Sequence, residues 1–406
     1  MHAIQATREK RIRVSEEEKR LIDQVILPPE STRTSLAQAL GVSPAWITKT
    51  ITPLIERNVI TEIGPAAGSG GRRAKILGIN PAVGFLIGVD FGATSLDVAL
   101  SGPDINLAGQ KSLPINIDAG PEICLKAFHE LTDALLQEHD LCREDIRGIG
   151  LGVPGPVDFA KGRVISPPIM PGWDDFPLPE AIMEQFPDSF VLVDNDVNLM
   201  ALGALRQGRA LDAENTLFIK VGSGIGGGIV CGGRVYRGAS GCAGDIGHII
   251  VKRNGPLCRC GNRGCVEALA GGMAIAQQAM SLAKSGESPL LAEALKQKGG
   301  GLTAVDVGAA AAQGDVRALQ LIDTSGKYVG EMLTHLVSFY NPDVILIGGG
   351  VSKIGHRFLN AIRQVVLKSA SPLATRDLRI EYSSLGDQAG IMGALSLAQQ
   401  NLFYVG

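Results

Sequence analysis

Residues 86–94 read Leu86-Ile87-Gly88-Val89-Asp90-Phe91-Gly92-Ala93-Thr94, an apolar strand ending in small residues, and residues 95–100 read as a second strand returning from it. The form recurs: residues 217–221 are apolar, Gly222-Ser223-Gly224-Ile225-Gly226-Gly227-Gly228 follows, and Ile229-Val230-Cys231 resumes the strand character. Turns built from small residues let backbone N–H groups approach phosphate oxygens, because no side chain stands in the way. Asp90 is placed to hold Mg²⁺ directly or through water, since Mg²⁺ keeps several waters and takes one or two carboxylates. Neither turn is followed by the Gly-Lys-Ser/Thr of a P-loop, and neither opens a helix with GxGxxG spacing. A third apolar strand, 344–347, ends in Gly348-Gly349-Gly350, where a base or ribose could pack on bare backbone. Taken singly, each run is equally compatible with an ordinary tight turn.

Between the two turns lies Phe190-Val191-Leu192-Val193-Asp194-Asn195-Asp196-Val197-Asn198, a strand that ends in a polar cluster and leads into a helix near 199–205. Carboxylates at the C-terminal end of a strand are where α/β proteins place chemistry. An Asp helix cap or a solvated loop would look the same. Farther on, His248 is followed by Cys258, Cys260 and Cys265. This Cys₃His set matches tetrahedral zinc in number and type, with Gly261 and Gly264 relieving a turn tighter than usual. Cys124, Cys142, Cys231 and Cys242 lie outside the cluster, and three of them have apolar or Gly-rich neighbours that suggest buried packing.

The chain has 406 residues, enough for two or three domains. Hydrophobic residues make up 45 % and charged residues 19 %, which excludes disorder as the main state. No apolar run approaches the ~18–20 residues that span a bilayer, and residues 1–14 carry charge without an apolar core, so neither a membrane protein nor a secretory leader is expected. The cytoplasm is the expected compartment, with cysteines as thiols or metal ligands. Charge is unevenly spread: residues 1–79 hold 12 Lys+Arg against 8 Asp+Glu, and the remainder holds 26 against 33. A basic end on an acidic body points to nucleic acid.

That basic end has its own logic. Ser15 and Glu18 form a capping box for a helix with Leu21, Ile22, Val25 and Ile26 on one face, stopped by Pro28-Pro29. A second helix buries Leu36, Ala37 and Leu40 and ends at Gly41. Ser43 caps a third, with Pro44 at its first position and Ile47, Ile51, Leu54 and Ile55 inward. The pattern predicts a helix-turn-helix, with residues 59–63 and 74–79 as a two-stranded wing. Ser43, Ala45, Trp46, Lys49 and Thr50 are the candidate base-facing residues, and Arg72 and Arg73 of a Gly-rich arm suit a narrow minor groove. Pro53 removes the bond to the Lys49 carbonyl and should kink the third helix.

Together these motifs resemble the ROK family of sugar kinases and repressors, over nearly the whole chain. The matching stretches are residues 90–94, 152–158, Asn195-Asp196, 222–228, 244–248, the cysteines, Glu267 and 348–350. The resemblance implies an α/β, two-lobed actin/hexokinase-like (ribonuclease H-like) body with an N-terminal winged helix-turn-helix. The implied boundaries are 1–80 for the head, 81–195 with 389–406 for the first lobe, and 196–388 for the second. It assigns sugar recognition to Gly155, Asn195, Asp196, Asp245, His248 and Glu267, with Asp196 as general base if the body is a kinase. Phosphates would lie at Asp90, Gly92, Thr94, Ser223, Gly224, Gly226, Gly227, Gly348 and Gly349. Zn²⁺ would be held by His248, Cys258, Cys260 and Cys265. One position departs: the family's kinases carry Glu three residues before the zinc His, and here it is Asp245, one methylene shorter.

The expected function is therefore a sugar-responsive DNA-binding regulator, a repressor, bound to a double-stranded operator as a homodimer or homotetramer. Its effector would be a sugar or sugar phosphate. The alternative is an ATP- and Mg²⁺-dependent hexose or amino-sugar kinase, since both phosphate motifs and Asp196 are retained. A sugar-binding scaffold that does neither leaves the arginine arm without a use.

Overall fold

The computed structural model describes residues 10–26, 31–65, 74–208, 210 and 213–405. The Pro28-Pro29 stop and the Arg72-Arg73 arm fall outside these residues. The chain divides into two compact units, residues 1–196 with 391–406, and residues 197–390.

The first unit opens with β1 (Ile12–Val14) and α1 (Glu16–Ile26). The capping box forms: the Ser15 N–H donates to Glu18 Oε2 at 2.8 Å, and the Glu18 N–H donates to Ser15 Oγ at 3.2 Å. β2 (Ser31–Thr32), α2 (Arg33–Leu40) and α3 (Pro44–Glu56) follow. Ser43 Oγ accepts the Trp46 N–H at 3.2 Å, so the third helix starts as the sequence predicts. It runs through Pro53 to Glu56. The wing is formed by β3 (Ile60–Pro65) and β4 (Lys75–Ile79), with β2 added on the other side of β4, so the sheet has three strands where two were expected.

Thr50 is a correction. It is buried, with Ile47, Ile51 and Leu54 as neighbours on the inward stripe. The helical period explains this, because residue 50 is one turn on from 47 and one turn before 54. Trp46 is half-buried and packs on the same core. The solvent stripe of α3 is Ala45, Thr48, Lys49 and Thr52.

The head shares its core with the sheet beneath it. Leu21, Ile22, Ile47 and Leu54 belong to one buried cluster with Leu86, Ala99, Phe190, Leu395 and Phe403. β1 pairs in parallel with Phe403–Val405, and the Arg11 guanidinium lies 5.2 Å over the Phe190 ring. That sheet contains β5 (Phe85–Phe91), β6 (Ser95–Ser101), β7 (Leu107–Pro114), β8 (Ile146–Val153) and β9 (Phe190–Asn195) in the order β9-β8-β5-β6-β7. β5, β8 and β9 run parallel, while β6 and β7 return antiparallel. Helix α4 (Pro121–Glu138) covers one face, and the C-terminal helix Ala389–Asn401 packs into the head-side cluster on the other.

The second unit repeats this connectivity. It starts in α5 (Asp196–Gln207), whose first residue belongs to the first unit. Its sheet has β10 (Thr216–Val221), β11 (Ile225–Cys231), β12 (Arg234–Tyr236), β13 (Val344–Gly348) and β14 (Arg379–Tyr382), in the order β12-β11-β10-β13-β14. Again the two hairpin pairs are antiparallel and the crossover strands are parallel. Helices α6 (Val266–Ala270), α7 (Gly272–Lys284), α8 (Val316–Tyr340) and α9 (His356–Ser369) cover it. Two sheets of one topology are the duplicated architecture expected of an actin/hexokinase-like body.

In α4, Leu135 and Leu136 are buried, and in α8, Val329, Met332, Leu333 and Val337 are buried. Among the described residues, no helix is long and apolar enough to cross a membrane.

Candidate functional site

In the first unit the parallel strands bring polar groups to one edge of the sheet. The register sets Asp90, Gly152 and Asp194 side by side. Beyond this row, Asn195 Nδ2 donates to the Gly155 carbonyl at 3.1 Å, which ties the strand-end cluster to the 152–158 loop. Asp194 is buried, and its Oδ1 accepts the Asn195 N–H at 2.8 Å. The sequence alone does not single it out from its neighbours in the Asp-Asn-Asp run. Asp196 opens α5 and is only 3 % exposed. The first turn closes with the Gly92 N–H on the Ser95 carbonyl at 2.8 Å. Its Thr94 and Ala93 carbonyls accept from Ile115 and Ile117 at 3.3 and 3.2 Å.

In the second unit the turn is shorter than the sequence suggested. It consists of Gly222-Ser223-Gly224, and β11 begins at Ile225, so Gly226, Gly227 and Gly228 are strand residues. Gly227 and Gly228 are buried. A Cβ on Gly228 would stand 2.5 Å from the Val197 carbonyl oxygen, so this glycine admits α5 to the sheet. Gly348 is likewise no bare platform: it is buried at the end of β13 beneath the Phe218 ring, and only Gly349 and Gly350 reach the surface.

His248, Cys258, Cys260 and Cys265 converge, with one ligand atom of each within 4.8 Å of the others. His248 Nδ1 lies 3.5 Å from Cys258 Sγ, and Cys260 Sγ lies 3.7 Å from Cys265 Sγ. Two thiolates on a tetrahedral zinc, at Zn–S of about 2.3 Å, would be about 3.8 Å apart, so the donor set fits such an ion. Burial pushes the Cys265 thiol up to about 12 and raises Cys258 as well, while the Asn262 backbone N–H lowers Cys260. A bound cation is what would hold the two raised thiols as thiolates. The loop is closed by Val251 and Lys252 N–H groups on the Gly264 carbonyl, and Gly261 and Gly264 both take positive φ, as the spacing predicted. The other ring nitrogen, His248 Nε2, faces the exposed carboxylate of Asp245 at 3.7 Å.

Glu267 follows Cys265 by two residues. Its Oε2 accepts the Ile225 N–H at 2.9 Å, so it reaches the second turn. Of the other cysteines only Cys124 is buried; Cys142, Cys231 and Cys242 are exposed, against expectation. They sit on loop and strand ends, where local apolar sequence does not ensure cover. On the head, Ser43, Ala45 and Lys49 are exposed as predicted.

Comparison with known proteins follows the same division. The model of the ROK family matches residues 86–401, the two sheets without the head. A glucokinase of Halalkalibacterium halodurans is 35 % identical over 77 % of this chain and 94 % of its own. The xylose repressor of Caldicellulosiruptor bescii is 28 % identical over 93 % of each chain. The crystal structure of a ROK family transcriptional regulator, a homologue of the E. coli MLC protein, superposes with a TM-score of 0.80 at 27 % identity, over 95 % of each chain.

Proposed function

The chain belongs to the ROK family, and from that premise we propose a sugar-responsive, DNA-binding transcriptional regulator, a repressor of carbohydrate-metabolism genes. The head is the observation that carries this reading. A match over 95 % of the chain has to include it, whereas a match over 77 % leaves room for it outside.

In this reading the N-terminal half of α3 enters the major groove with Ser43, Ala45, Thr48 and Lys49 toward base edges. Trp46 and Thr50 hold the helix on its core instead. Arg72 and Arg73 supply phosphate or minor-groove contacts. A homodimer or homotetramer in the cytoplasm matches a palindromic operator with half-sites about one helical turn apart. The sugar or sugar phosphate is recognised by Gly155, Asn195 and Asp196 of the first unit. It releases DNA only by binding the DNA-free form more tightly than the bound one. Zinc is the metal assigned to His248, Cys258, Cys260 and Cys265, because the donors are one nitrogen and three sulfurs with no carboxylate. It would supply cross-linking of the loop that presents His248.

A kinase reading has its own support: Asp90 lies near the end of β5, and buried Asp196 directly follows β9; in this reading Asp196 is the base on a sugar hydroxyl. Asp90 would then hold the Mg²⁺ of ATP. Two measurements separate the readings. Genomic DNA captured at ~150 mM salt should be enriched for discrete sites; a profile no different from non-specific background ends the repressor reading. ATP turnover over a hexose and amino-sugar panel, lost in Asp196→Asn, would establish the kinase.

A further inference from the structure

The second turn is held from behind by two different means. Its Gly222 and Ser223 carbonyls accept the first N–H groups of α7, from Gly272 at 2.7 Å and Met273 at 3.2 Å. Its exit is held by Glu267, through the 2.9 Å bond from the Ile225 N–H. The Glu267 carboxylate fills the space behind the turn: a Cβ on Gly224 would stand 2.2 Å from Oε2, and one on Gly247 would stand 3.4 Å from it. Gly247 adjoins His248, and Glu267 is two residues from Cys265. The carboxylate thus lies in space beside the residue that precedes one ligand of the Cys₃His cluster, and in sequence two residues after another. The Glu267 carbonyl also accepts the Gly271 N–H at 2.9 Å, directly before α7. One residue therefore touches the turn, the metal loop and the start of the helix that binds the turn.

We infer that Glu267 is a positioning residue of the phosphate turn, and that through it the metal centre sets the turn's affinity for a phosphoryl group. The inference rests on the reading of residues 222–224 as a phosphate turn. With the metal bound, residues 247 and 265 fix the carboxylate from two sides, and the carboxylate fixes the Ile225 N–H. With the metal removed, the short α6 loses its anchor at Cys265, Glu267 is free to rotate, and the turn loses its tie to α6 while keeping its two carbonyl bonds to α7. A role confined to sugar recognition would leave the turn indifferent to both the carboxylate and the metal.

The test uses the full chain and two readouts. The first is hydrogen exchange at amides 222–226. In Glu267→Ala, and in wild type stripped of metal by a chelator, exchange should rise about tenfold, the worth of one hydrogen bond to a charged acceptor. Glu267→Gln keeps an acceptor of the same length and should restore protection. Gly224→Ala, which displaces the carboxylate, should behave like Glu267→Ala. The second readout is binding of a fluorescent ATP analogue with Mg²⁺, expected to weaken about tenfold in the same set and, in Glu267→Ala, to be no weaker after chelation. A thermal melt of each variant reports whether it folds. Unchanged exchange at 222–226 on metal removal, or equal losses in the Ala and Gln variants, overturns the inference. A turn that loosens as expected in a wild type that binds no nucleotide supports the clamp and removes the nucleotide reading alone.

Discussion

The two glycine-bearing hairpins of the body, Gly92-Ala93-Thr94 and Gly222-Ser223-Gly224, look alike in sequence and are built differently. Both tie their carbonyls back. The first does so with Ile115 and Ile117, the stretch that directly follows β7 of its own meander. The second does so with Gly272 and Met273, and adds Glu267 from α6. The first turn is thus held from within its own meander, by residues about twenty positions on. The second is made by residues about fifty positions away, which reach it only if the intervening loop is closed. A local turn is autonomous; a turn assembled at a distance is conditional, here on the segment that carries the Cys₃His cluster.

The largest expected effect breaks the second turn's surroundings. Gly244 has φ of 101°, and a Cβ there would stand 1.8 Å from the Gly227 carbonyl oxygen, which belongs to the strand after the turn. Backbone meets backbone, so neither partner can rotate away. Gly244→Ala should cost about 3 kcal/mol or more in urea unfolding of the second unit, from strain and overpacking together. A cost below ~1 kcal/mol would mean that the loop and strand are not locked.

Next in size is the effect of losing a metal ligand. Cys265→Ser should remove bound zinc and raise exchange at 222–226 about tenfold, roughly 1.4 kcal/mol, while amides 92–95 of the first turn stay unchanged. Equal loosening of both turns would erase the distinction between them.

The same contrast shows what could be read before the fold was known. Ser43-Pro44, the Ser15/Glu18 box and the Cys₃His spacing were legible because each is decided within a few residues by hydrogen-bond chemistry or ligand count. Strand, turn and strand at 86–100 were legible for the same reason. Gly226, Gly227 and Gly228 were misread as turn, since a glycine that permits a turn and a glycine that admits a neighbouring element are identical in sequence; Val197 decides it for Gly226 and Gly228 from about thirty residues away, and Ile246 and Gly244 decide it for Gly227. Thr50 was placed by its polarity, and the 3.6-residue period overruled it. The pairing of β1 with Phe403–Val405 joins the two ends of the chain, and no local signal announces it. Glu267 was noticed, but its reach to Ile225 is a tertiary fact.

A smaller effect tests the first turn. A Cβ on Gly92 would meet Ser95 Oγ at 2.9 Å, and the next atom, the Ser95 carbonyl oxygen, at 3.3 Å. The crowding atom is the tip of a short side chain, which can change rotamer. Gly92→Ala should therefore cost under ~1 kcal/mol, against the several expected at Gly244.

The smallest effect asks whether that explanation is the right one. If Ser95 Oγ is what resists a methyl at position 92, then Ser95→Ala should abolish the cost of Gly92→Ala. Ser95 Oγ gives up only a 3.3 Å bond to Asp97 Oδ2, at a site that is not fully buried. The single Ser95→Ala change should thus lie within ~0.5 kcal/mol of wild type, and the double variant should match it. The coupling between the two positions, measured as a double-mutant cycle, should equal nearly the whole cost of Gly92→Ala. If the cost persists without the serine hydroxyl, the resistance comes from the Ser95 backbone. The first turn would then be locked by main chain as the loop at Gly244 is, and its apparent tolerance would belong to the serine rotamer and not to local construction.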